Sequence, residues 1–114
     1  MLGSRADIAA RSAAEVALGQ VIEQLARTVD PTLWKTAFNH YYNVVSGKNL
    51  RDEEKADPHW YKEAGLAAAR LAEEHQQWEI ATRIYTRLVE VLPPLRVALE
   101  KKIDKAREQL RGSE

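Results

Sequence analysis

The chain has 114 residues and a formal net charge of zero, with 17 basic against 17 acidic side chains and no cysteine. This length holds one domain. The absent thiols exclude disulfides, thiolate metal sites and cysteine nucleophiles, and the charge balance argues against nucleic acid and anionic membrane as partners.

Alanine supplies 17 residues, whereas Gly and Pro number only 5 and 4, a composition that favours helix. A first helix is expected from about residue 5, with Ser4 and Asp7 at its N-terminal end, where a negative charge suits the helix dipole. Ile8, Ala14, Leu18, Val21, Ile22, Leu25 and Val29 recur at steps of three and four, and periodicity makes them its buried face. Asp30-Pro31 then reads as an N-cap followed by proline in a first turn, where the missing N–H is harmless. The second helix carries Trp34, Ala37, Phe38, Tyr41, Val44 and Val45 on one side and fades near Ser46-Gly47.

Residues 47–57 hold one large apolar residue, Leu50, among dense charges, and are expected to form an exposed loop. Asp57-Pro58 repeats the cap-and-proline start. The third helix runs to about His75 with Trp60, Ala64, Ala67, Ala68, Leu71 and Ala72 inward, an almost wholly small face that lets a neighbouring helix approach closely. After a turn at Gln76-Gln77, the fourth helix covers 78–92 with an apolar surface broader than one stripe, Trp78 included in the core. Pro93-Pro94 stops it. A last helix, about 95–111, shows a narrow seam of Leu95, Leu99, Ile103, Ala106 and Leu110. The fold class is therefore all-α: five antiparallel helices arranged as a first hairpin (5–46), the loop (47–57), a second hairpin (58–93) and a capping helix (94–112).

The usual marks of chemistry are missing. His40, His59 and His75 have no spacing for a shared metal, and His75 beside Glu73-Glu74 suits a helix C-terminus without any catalytic role. Asp52-Glu53-Glu54 lacks the rest of a calcium loop. No glycine-rich phosphate loop, serine-hydrolase elbow or HExxH helix occurs. The expectation is no catalytic residue, no cofactor and no bound metal. No apolar run nears the ~20 residues of a membrane span and no secretory leader is evident, so the default compartment is cytoplasmic.

An internal repeat is visible when residue 34 is laid over residue 78. Trp34, Ala37 and Tyr41 then fall on Trp78, Ala81 and Tyr85, and Val44-Val45 falls on Leu88-Val89. Repeated hairpins are expected where neither can bury its face alone. On these residues the segment from Lys62 to Pro93 resembles a tetratricopeptide repeat, a helix–turn–helix unit of about 34 residues. Ala81, Tyr85 and Pro93 fill that family's second-helix positions. The first-helix positions are less well kept, falling on Gly65, Ala68-Ala69 and Ala72.

The resemblance implies a right-handed stack of hairpins with a capping helix, acting as a non-catalytic protein–protein interaction module at the end of a longer scaffold. It implies a groove for a protein or peptide, with outward positions at Glu63, Leu66, Arg70 and Glu73 and, one period on, at Val97, Glu100, Asp104 and Arg107. A self-associating bundle, forming a homodimer through the first or last helix, is the reading from another class. A small helical enzyme or ligand carrier, which needs an enclosed pocket, is the third.

Overall fold

Asp30 and Asp57 do what their positions before proline require. The Thr32 N–H donates to Asp30 Oδ1 at 3.0 Å, and the Trp60 N–H donates to Asp57 Oδ2 at 3.0 Å. Each carboxylate satisfies a backbone donor that the first turn leaves unpaired. The computed structural model, which describes residues 5–112, has five α-helices there: α1 (Arg5–Thr28), α2 (Trp34–Val45), α3 (Pro58–Glu74), α4 (Trp78–Val91) and α5 (Arg96–Gly112); Asp57 opens α3, whereas Asp30 caps a 3-10 turn ahead of α2 rather than α2 itself. Single 3-10 turns at Pro31–Leu33 and Pro93–Leu95 lead into α2 and α5. The chain is all-helical, with no strand among the described residues. Ser4, expected at the start of α1, lies outside them.

Two compact units divide the chain, Met1–Ala64 and Gly65–Glu114, with the division inside α3. In the first, α1 packs on α2. The Tyr41 ring lies against Gly19, so close that a β-carbon there would stand 2.6 Å from the ring. Ala37, Tyr41, Val44 and Val45 are all buried, as their spacing requires.

The orientation of α1 departs from its hydrophobic periodicity. Ile8, Ser12, Val16, Gly19 and Glu23 face inward, whereas Ala14, Leu18, Val21, Leu25 and Val29, expected inside, are exposed. The cause is on the inner face, where specific polar partners outweigh the number of apolar side chains. Glu23 Oε1 accepts the Tyr41 phenol at 2.9 Å, and Glu15 Oε2 lies 2.9 Å from His40 Nδ1. Ser12 Oγ accepts from Asn49 Nδ2 at 2.9 Å. Turning the helix over would leave Glu23 and Tyr41 without each other, and a buried unsatisfied polar group costs about 1–3 kcal/mol.

The loop is also less free than its composition suggests. The Arg11 guanidinium donates to the Asn49 carbonyl and pairs with Glu54, whose side chain is 4% exposed. Lys48, Arg51, Asp52, Glu53 and Lys55 keep to solvent, while Asn49, Leu50 and Glu54 are at least partly buried.

In the second unit Ala68, Leu71 and Ala72 of α3 are buried as expected, whereas Ala67, expected inside, is half-buried and Ala69 is buried in its stead. A β-carbon on Gly65 would meet Leu88 at 2.7 Å, so the glycine admits that leucine. α4 packs on α5, burying Ala81, Ile84, Tyr85 and Leu88 on one side and Leu99, Ile103 and Ala106 on the other. Trp78, expected in the core, is only half-buried, as are Trp34 and Trp60.

Candidate interaction surface

α1 presents two unlike faces because the charged residues of its middle are paired. Of the charged side chains between Ala10 and Ala26, Arg11 is held by Glu54, Glu15 by His40 and Asn43, and Glu23 by Tyr41 and Arg27. What remains outward is neutral. The exposed residues of this stretch are Ala10, Ala14, Ala17, Leu18, Gln20, Val21, Gln24 and Leu25. Leu18 is 49% exposed, Val21 60% and Leu25 42%, and Val29 continues the line at 74%. In a chain that is 30% charged, the exposed residues of about four helical turns are thus all uncharged, Arg11 and Glu15 being only a quarter exposed and paired. Contiguous exposed apolar surface of this kind marks an interaction site far more often than scattered leucines do.

The groove positions implied by the repeat resemblance are polar by comparison. Glu63, Arg70, Val97, Glu100, Asp104 and Arg107 are exposed, and Leu66 is half-buried. Arg70 pairs with Glu74 at 3.4 Å and Arg96 with Glu100 at 3.8 Å, each within its own helix. Glu73 is not directed to solvent alone, since its Oε1 accepts the Tyr85 phenol at 2.6 Å.

A cleft of about 450 Å³ lies beside the loop, lined by Ile8, Glu53, Glu54, Lys55, Ala56, Asp57 and Pro58. Two of its three carboxylates have structural duties: Glu54 Oε1 takes the Arg51 N–H and the Arg11 guanidinium, and Asp57 caps α3, while Glu53 is exposed and Glu54 Oε2 is buried with no hydrogen-bond partner among the described residues. Among the described residues no group of three or more His, Cys, Asp or Glu is placed to hold a metal ion. The histidines are dispersed. His40 meets Glu15, and His59 stacks edge-on with Trp60, ring centroids 4.7 Å apart. No described helix is long and apolar enough to cross a membrane.

No protein-family model, curated protein or solved structure matches the chain. Sequence reasoning missed the outward stripe because it assigned the apolar residues of α1 to the core. A signal was nonetheless present: Gly19 and Glu23, one turn apart, are what a tyrosine on a facing helix requires.

Proposed function

We propose that this chain is a non-catalytic helical interaction module, and that the outward face of α1 is where a helical segment of a partner protein docks. One observation carries the reading: the exposed, charge-free line of Leu18, Val21, Leu25 and Val29. An amphipathic helix laid along such a face reads it through residues spaced three and four apart. The tetratricopeptide-like pairing of hairpins belongs to this proposal as its architecture. It is supported by the matched Trp, Ala and Tyr positions of α2 and α4, and by the fact that both tyrosines bond a glutamate on the preceding helix.

The test is whether the stripe is free surface or part of this chain's own core. A Leu18→Glu/Val21→Glu variant should melt within a few degrees of wild type and lose binding of an apolar-surface dye. A fall in melting temperature comparable to that of a core variant such as Leu88→Ala would overturn the reading, because the stripe would then be covered by the chain itself.

A further inference from the structure

We propose that the cleft beside the loop binds a primary ammonium group carried on a short alkyl chain, with Glu54 Oε2 as its acceptor. The site stands apart from the outward face of α1. Glu54 lines the cleft with a side chain that is 4% exposed. Its Oε1 accepts the Arg51 N–H and the Arg11 guanidinium, and Arg11 also donates to the Asn49 carbonyl. These bonds fix the carboxylate, which cannot turn Oε2 out to water without giving up both donors. Oε2 itself is buried and has no hydrogen-bond partner among the described residues. A buried acceptor of this kind is costly to keep, and native structures hold few of them.

The remaining walls say which donor fits. Ile8 is buried and lies with Glu54 at the floor, whereas Glu53, Lys55 and Pro58 are exposed and form the rim. The apolar surface of Ile8, Ala56 and Pro58 suits an alkyl stem, and a volume of about 450 Å³ is that of a small-ligand site. The lining carries three carboxylates and one ammonium, and Arg11 offsets one of the carboxylates, so the balance stays negative. A charged donor therefore gains over a neutral one, through a charge-assisted bond and the attraction of Glu53 and Asp57. A guanidinium forks across both oxygens of a carboxylate, and here Oε1 is already taken by Arg11; the single open oxygen suits the compact ammonium instead. A metal ion does not fit, because no three acidic or histidine side chains among the described residues converge to hold one.

Amide NMR titration of the full chain with n-butylammonium chloride, at constant ionic strength, tests the site. Saturable shifts should appear at millimolar concentration and be confined to Ile8, Arg11 and residues 53–57; their absence would overturn the proposal. Tetramethylammonium carries the charge without an N–H, and n-butanol carries the stem without the charge. Each should bind about tenfold more weakly than n-butylammonium. Equal binding of either, or tighter binding of magnesium ion, would overturn the proposal by assigning the response to rim charge, to the apolar wall or to a metal site. Glu54→Gln should lose the response, but it also gives up the ion pair with Arg11. Ala56→Phe therefore serves as the second variant, since it narrows the cleft and leaves Glu54 intact. Undiminished shifts in a folded Ala56→Phe chain would place the amine elsewhere and sink the assignment. Nα-acetyl-lysine amide then names the source: binding like that of n-butylammonium points to a lysine side chain of a protein, and binding of n-butylammonium alone to a free amine.

Discussion

Tyr41 and Tyr85 are held in the same way in their own hairpins. Each follows a tryptophan by two helical turns, each is all but fully buried, and each donates its phenol to a glutamate of the preceding helix, Glu23 at 2.9 Å and Glu73 at 2.6 Å. The glutamates differ in burial, which separates the two bonds energetically. Glu23 is 8% exposed, so the loss of its donor leaves an oxygen that water reaches poorly; Glu73 is half-buried and can rehydrate. Tyr41→Phe should therefore cost about 2 kcal/mol and Tyr85→Phe about 1 kcal/mol, within the range for hydrogen bonds to charged and partly hydrated acceptors. Urea unfolding of both variants checks the order, and equal costs would show that Glu23 finds another donor.

Gly19 and Gly65 both admit a side chain from the facing helix, but the intruders differ in stiffness. At Gly19 a β-carbon would meet the rigid Tyr41 ring at three atoms within 2.9 Å; at Gly65 it would meet the methyl end of Leu88 at 2.7 Å. Alanine recovers about 1 kcal/mol of helix propensity at either site, while overpacking costs about 1–3 kcal/mol. Gly19→Ala should be destabilising by about 2 kcal/mol, because tilting the ring also strains its bond to Glu23. Gly65→Ala should lie within about 1 kcal/mol of wild type, because leucine has other rotamers. Thermal melting of the two variants measures the difference.

These two sites also explain how far the sequence can be read. Helix positions, the aspartate caps and the seam of α5 follow from local rules that each segment obeys by itself. The inner face of α1 does not, because it is chosen by Tyr41, a residue on another helix whose phenol needs Glu23 and whose ring needs Gly19. Hydrophobic periodicity counts apolar residues and cannot weigh a buried hydrogen bond against them. It therefore pointed Leu18, Val21 and Leu25 inward and hid the surface on which the proposed function rests. The loop was obscured for the same reason: Arg11 and Ser12, both on α1, tie down Asn49 and Glu54.

Alkaline titration isolates Tyr85. Burial pushes its phenol well above the ordinary value of about 10, the hydrogen bond to Glu73 and the charge of that carboxylate push it further, and Arg70 opposes them. The folded chain thus keeps a proton that the unfolded chain releases. The stabilisation is complete below the unfolded value and is lost as pH rises past about 10 toward the folded one. Guanidinium unfolding at about pH 9 and about pH 11 should show wild type losing more stability than Tyr85→Phe. Equal losses in the two proteins would assign the pH dependence to other groups.

Trp78 opens α4 only half-buried, although its repeat register suggests a core anchor. Full burial would make Trp78→Ala cost about 3–5 kcal/mol; with the residue partly in solvent, about 2 kcal/mol is expected. Leu88→Ala, at a position with no exposure, should cost more, about 3 kcal/mol. Chemical denaturation of the pair tests the ranking, and a reversed order would mean that the indole is covered in solution.

The turn between α3 and α4 places a non-glycine residue where glycine is favoured. Gln76 has φ of 58°, its N–H donates to the Glu73 carbonyl at 3.0 Å, and the Gln77 N–H donates to the Ala72 carbonyl at 2.7 Å. This is the six-to-one and five-to-two pair of bonds that closes many helices through a left-handed residue. A side chain in that conformation costs about 1–2 kcal/mol, and Gln76 is exposed, so its side chain contributes little packing in return. Gln76→Gly relieves the strain but gives the unfolded chain more freedom, about 0.4–1 kcal/mol in the opposite direction. A net gain of about 0.5 kcal/mol is expected, visible as a higher urea midpoint with an unchanged slope. A loss of stability would mean that the Gln76 side chain holds the turn in solution.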